Sequence, residues 1–116
     1  HVKYPYPFKV DIAVDVDENY KKKMRAYDAH VSQMYEWLPW HAGILDEVPK
    51  DEEERFEWLK KRRGNRKISK EAREVLAKWY GEEHAAQVKH AEVFQVCEYG
   101  SQPTEEELKE LFPMVK

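Results

Sequence analysis

Between Val16 and Tyr20 the spacing of apolar residues changes from every second position to every third or fourth, and a fold of helices alone or strands alone cannot satisfy both patterns. Before the change, Val10, Ile12, Val14 and Val16 alternate with Lys9, Asp11, Ala13 and Asp15, which predicts a half-buried strand with one polar face. After it, Tyr20, Met24, Tyr27, Val31 and Met34 share one helical stripe. Asp17 is the expected N-cap, and the helix is expected to finish before Pro39, because the residue preceding a proline avoids helical geometry. Upstream, Tyr4-Pro5-Tyr6-Pro7-Phe8 fixes an extended arm. The chain therefore opens with an arm and strand over 1–16, followed by a helix over 17–38.

Residues 39–116 read as a helical extension. A loop covers 41–50. The next helix, 51–63, begins with Asp51, Glu52, Glu53 and Glu54 and ends with Lys60, Lys61, Arg62 and Arg63, an order that complements the helix dipole; Gly64 stops it. With only Phe56, Trp58 and Leu59 as apolar residues, it reads as a surface helix. Ser69 caps a third helix, whose Ala72, Val75, Leu76 and Trp79 form one stripe up to Gly81. Residues 82–89 allow one more helical turn, and 91–98 alternate well enough for a second strand. Thr104 and Glu107 form a capping box that opens a final helix, stopped by Pro113. The expected class is α/β and helix-dominated, with about four helices and one or two short strands, in a single domain or fragment spanning 1–116.

Composition narrows the function. At 116 residues the chain is one domain's length, and 20 Lys+Arg against 23 Asp+Glu give a net charge of −3, which disfavours a generic polyanion binder. The single cysteine, Cys97, makes no internal disulfide, in keeping with a reducing compartment. No apolar run nears the roughly 18 residues that span a bilayer, so the expected location is cytoplasmic, with no membrane partner. The chain opens at His1 without an initiator Met and is read as a piece of something larger.

Few residues advertise chemistry. His30, at the edge of the first helix's apolar stripe, is the strongest general acid–base candidate, although a lone helical histidine is more often a packing residue. His84 and His90 are six apart and lack the three- or four-residue spacing of a helical zinc site; His1, His41 and Cys97 could join them only through tertiary folding. The bases Lys60, Lys61, Arg62, Arg63, Arg66, Lys67, Lys70 and Arg73, with Trp58 and Trp79 to stack on bases, suggest nucleic acid, but the acidic run at 51–54 and the absence of any module signature favour a solvated face. Four Trp and seven Tyr are a heavy aromatic load, and the cluster from Tyr35 to Trp40 implies either an interface or the domain's own core.

Two segments carry a family resemblance. Val10-Asp11-Ile12-Ala13-Val14-Asp15-Val16, followed by Lys23, Ala26 and His30-Val31-Ser32-Gln33, resembles the strand and Lys-x-x-Ala-x-x-x-His-x-Ser-Gln helix of the PIG-L/LmbE-like zinc-dependent sugar N-deacetylases. Lys89-His90-Ala91-Glu92-Val93-Phe94, with Glu98-Tyr99-Gly100 and Leu111-Phe112-Pro113, is similar to the family's carboxy-terminal Tyr-Ala-Glu-Ala-Phe, Glu-Tyr-Gly and Phe-Pro segments, with His90 in place of the usual Tyr. The resemblance implies the carboxy-terminal part of a Rossmann-like deacetylase fold, its first strand joining a parallel sheet. The family's His-Pro-Asp-Asp and His-x-x-His-like motifs, which supply zinc ligands and the general base, have no counterpart in this chain.

In the family, zinc activates a water that attacks an acetamido carbonyl, and a carboxylate takes the proton and passes it to the departing amine. The resemblance therefore implies the carboxy-terminal portion of an enzyme that deacetylates N-acetylglucosamine-type sugars, inactive alone, with zinc held by ligands outside this chain. His30 is the implied catalytic residue, and Gln33 and His90 the implied substrate-binding residues. Asp11 and Asp15 are candidate acids, with capping or loop anchoring the commoner role for Asp15. Expected partners are the amino-terminal catalytic portion, an N-acetylated sugar and further copies of the chain. The competing reading is a non-enzymatic helical interaction or nucleic-acid-binding module using the basic 60–73 face.

Overall fold

In a computed structural model of the chain, residues 6–64 and 66–115 are described. The part of the expected arm before Tyr6 lies outside them. The described residues are helix-dominated and contain six α-helices and two strands, a small α/β arrangement. They divide into two compact units: His1–Asp17 with Lys67–Lys116, and Glu18–Arg66.

In the first unit, β1 (Ile12–Asp15) pairs antiparallel with β2 (Ala91–Phe94), in the register Ile12 to Phe94 and Asp15 to Ala91. The ladder continues where the Asp11 N–H donates to the Phe94 carbonyl at 2.9 Å and the Val16 N–H to the His90 carbonyl at 3.1 Å. β2 ends before the 91–98 span its alternation suggests, because the Val96 N–H donates to the Asp11 carboxylate at 2.8 Å instead of to a strand. The expected polar face of β1 is also absent. Ile12 and Val14 pack with Trp79, Leu108 and Val115, while Val10 and Ala13 pack with Ala72, Leu76, Ala85 and Val88.

One helix serves both clusters. α4 (Lys70–Tyr80) starts at Ser69, whose hydroxyl accepts the Ala72 N–H at 3.1 Å, and its stripe sends Ala72 and Leu76 to one cluster and Trp79 to the other. Leu76 is fully buried, which stabilises by about 1.5–3 kcal/mol. Gly81, at φ +87°, turns the chain directly into α5 (Glu82–Gln87), and Arg73 reaches back to donate to the carbonyls of Ala85 and of Val88, the latter at 2.8 Å. That guanidinium satisfies carbonyls at the end of α5 that no helical N–H reaches. Thr104 and Glu107 form the expected capping box of α6 (Glu105–Leu111).

The second unit departs further from expectation. In place of one helix over 17–38 there are a 3₁₀ turn (Asp17–Asn19), α1 (Tyr20–Asp28), a π-helical stretch (Ser32–Trp37) and α2 (Leu38–His41), which contains Pro39. Asp17 does not cap α1: the N-cap is Asn19, without a side-chain bond, and the Asp17 carboxylate is used elsewhere. Pro39 is accommodated because a π turn hands each N–H to the carbonyl five residues back, as Leu38 does to Gln33, and so widens the helix where the pyrrolidine ring would meet the preceding turn. A 3₁₀ turn (Leu45–Glu47) breaks the expected loop. α3 (Glu52–Arg63), capped by Asp51, is a core element and not a surface helix: Phe56 and Leu59 are buried with Met24 and Tyr35. Aromatic contacts reinforce that core, with the Arg25 guanidinium 3.8 Å above the Phe56 ring and the Tyr35 hydroxyl donating to Asp28 at 2.6 Å. Burial first, and the Asp28 bond second, push the Tyr35 phenol well above its ordinary pKa.

Gly81 is the position where backbone freedom is needed. Gly81→Ala places an L side chain at positive φ and is expected to cost about 1–3 kcal/mol, read as a lower urea midpoint with an unchanged slope. A midpoint equal to wild type would show that the α4–α5 turn tolerates the strain.

Candidate functional site

The exit of β1 and the entry of β2 bring two aspartates and two histidines together. Asp15 accepts the Asp17 N–H at 2.9 Å with one carboxylate oxygen and meets His84 Nε2 at 2.7 Å with the other. Asp17 accepts the backbone N–H groups of Lys89 at 3.0 Å and His90 at 2.6 Å, and the same oxygen lies 2.8 Å from His90 Nδ1. Burial works to raise the Asp17 pKa, but the bonds from Lys89 and His90 outweigh it and hold the carboxyl below its ordinary value. Tyr80 supports the arrangement: its ring stacks on His84 at 4.9 Å, and its hydroxyl accepts the Asp15 N–H at 3.2 Å. The two aspartates and two histidines, with Gln87, Val88 and Lys89, line a hollow of about 690 Å³.

An imidazole that faces a carboxylate through one ring nitrogen has its tautomer and orientation set by that contact. The Asp15–His84 pair can therefore present a directed donor or acceptor to a bound hydroxyl or carbonyl. Asp15 takes the loop-anchoring role expected of it. Asp11 is bound to Lys9 at 2.8 Å and to Val96, and so braces the strands. Among the described residues no three His, Cys, Asp or Glu side chains are grouped so as to hold a metal ion.

Gln33 lies in the second unit, on the π-helical stretch. With Ser32, Glu36, Trp37, Trp40 and Leu45 it lines an open groove of about 580 Å³. Trp37 and Trp40 are 54% and 65% exposed, so part of the aromatic cluster faces solvent, whereas Tyr35 is buried. His30 is exposed at the joint between α1 and the π-helical stretch, its N–H donating to the Tyr27 carbonyl at 3.0 Å and its carbonyl accepting from Met34 at 2.8 Å. It is not among the groove's lining residues. The structure thus joins His90 to Asp15, Asp17 and His84, and it sets Gln33 among exposed indoles.

The basic run divides between the two units, and several of its members have partners within their own unit: Lys60 bonds Glu57, Lys70 lies 3.7 Å from Glu74, and Arg73 is bound to α5. Trp79 is 3% exposed and cannot stack on bases.

Sequence spacing missed both aspartate–histidine pairs, whose partners are 69 and 73 residues apart. The available signal was the Asp-x-Asp at the end of a strand, which places two carboxylates where a neighbouring strand begins. Compared with known proteins, the chain matches no family model, no curated protein and no solved structure. No helix among the described residues is long and apolar enough to cross a membrane.

Because the folded-state pKa of Asp17 lies below its ordinary 3.8, its bonds stabilise the fold above that pH, and this contribution is lost as pH falls through the lowered value. Asp17→Asn is expected to lower stability at pH 7 and to lose part of the wild-type decline below about pH 4. Urea midpoints measured from pH 7 to 2.5 check this. Parallel curves for the two proteins would remove the linkage.

Proposed function

We propose that this chain is the carboxy-terminal portion of a zinc-dependent N-deacetylase acting on N-acetylglucosamine-type sugars, with the metal and the general base supplied by residues outside it. The observation that carries the reading is the meeting of the two segments that resemble the family: Val10–Val16 and Lys89–Phe94, far apart in sequence, are adjacent strands, and Asp17 clasps His90 where they meet. The pairing of β1 with β2 is antiparallel, so the Rossmann-like parallel sheet that the resemblance implies would have to be joined through the other edge of β1.

The groove at Gln33 suits a sugar. A pyranose ring offers apolar C–H faces to the exposed indoles of Trp37 and Trp40, and its hydroxyls match the paired donor and acceptor of the Gln33 amide. An apolar wall with a few orienting polar groups is the usual composition of such sites. His30 is the residue assigned to polarise the acetamido carbonyl, and His90 is assigned to hydroxyl binding in its own hollow. Commitment of Lys60, Lys70 and Arg73 to other partners weighs against the nucleic-acid reading.

The test is acetate release from N-acetylglucosamine glycosides by the intact protein that carries this segment. Release that stops with a chelator and returns with zinc is expected, and its absence overturns the reading. In that enzyme His30→Ala should lower kcat/KM by roughly 10²-fold while the melting temperature stays near wild type. Wild-type turnover by the folded variant would remove His30 from the chemistry.

A further inference from the structure

Wholly within the Glu18–Arg66 unit, α2 and the end of α3 enclose another hollow, of about 290 Å³, close to the lower end of the roughly 300–1,000 Å³ of small-molecule sites. Leu38, Ile44 and Trp58 give it apolar walls, and its polar lining consists of His41, Arg62 and Arg63, with no acidic residue. Basic residues in the last turn of a helix complement its dipole, which accounts for the presence of Lys60, Lys61, Arg62 and Arg63 there. It does not account for how they are sorted. Lys60 is paired with Glu57, whereas Lys61, Arg62 and Arg63 have no acidic partner among the described residues, and of these three only Arg62 and Arg63 line the hollow.

Arg62 is also held in place, its guanidinium 5.1 Å from the Trp58 ring centre. That contact leaves a planar fork of donors beside an apolar wall. A neutral apolar ligand would fill the hollow and leave both guanidinium groups without a counter-charge. Inorganic phosphate would meet the charges and leave the hollow wet. A ligand with both parts satisfies the site, because charge-assisted bonds from arginine to a carboxylate or phosphate are about twice as strong as neutral ones.

We propose that this hollow binds a small organic anion, an aromatic or acyl body carrying one carboxylate or phosphate, with the body against Trp58 and the charge met by Arg62 and Arg63. The proposal is independent of the deacetylase reading, since none of these residues serves it.

The experiment is an amide and indole NMR titration of the 116-residue chain with 1-naphthyl phosphate, alongside 1-naphthol and inorganic phosphate. The expected result is saturable shifts at the Trp58 indole and at 59–63, with the ester binding at least tenfold more tightly than either half-ligand. Added salt should weaken the ester and leave 1-naphthol unchanged. The double variant R62Q/R63Q, checked for an unaltered free spectrum away from α3, should bind the ester at least tenfold more weakly, while Lys61→Gln should match wild type. Equal affinity for 1-naphthol and its phosphate, no saturable binding, or unchanged affinity in R62Q/R63Q would each overturn the proposal.

Discussion

The antiparallel ladder between β1 and β2 is the interaction on which the first unit depends. It pairs residues about eighty positions apart, Ile12 with Phe94, and so closes a loop that holds the whole of the other unit. Closing a long loop is less costly than its length suggests, since each doubling adds only about 0.6 kcal/mol. The closure still needs more than four residue pairs. It obtains it from side chains that extend the ladder at both ends: Asp11 takes the Val96 N–H beyond one end, and Asp17 takes those of Lys89 and His90 beyond the other. Because these acceptors are carboxylates, each bond is stronger than its backbone equivalent. The same clasp positions the imidazole of His90, so the joint of the fold and the candidate site share one aspartate.

Local pattern made much of this legible. Ser69 and Thr104 cap the helices their positions suggest, Asp51 does the same for α3, and the stripe Ala72, Leu76 and Trp79 is buried. These features act within one helical turn, where sequence distance and spatial distance agree. Three others do not. Asp17 looks like a helix cap because a short acid before an apolar stripe usually is one, but the segment entering β2 brings it two backbone N–H groups and the His90 imidazole. Alternation along β1 suggests a polar face, yet Ala13 is small enough to let α4 and α5 cover that face as well. Pro39 looks like a stop because the rule for proline assumes α-helical spacing, and the stretch before it is π-helical.

The same distinction separates the visible parts of the candidate sites from the hidden ones. His30 stands out as a histidine at the edge of a helical stripe, and Gln33 only through the resemblance of the segment around it. His84 does not, since its partner Asp15 arrives only once β1 and α5 have packed against α4. In the basic run, residue type was legible and commitment was not. Arg73 is written beside Lys70 but is spent on the carbonyls of α5, whereas Arg62 rests on Trp58.

Commitment therefore separates the charges that the fold itself uses from those it leaves unmatched. Lys60, Arg73, Asp11 and Asp17 each neutralise or satisfy a group made by folding, and removing any of them would be felt first in stability. Arg62 and Arg63 have no acidic partner among the described residues, and Trp37 and Trp40 are each more than half exposed. Exposed indole faces and unmatched guanidinium groups both lower the free energy of the chain when something binds to them, and the two sets lie in different hollows with different chemistry. One offers aromatic faces beside an amide, the other an apolar wall beside two positive charges. Their difference predicts that ligands for the two will not compete by resemblance, since a neutral polyol has no charge for Arg62 and Arg63 to meet.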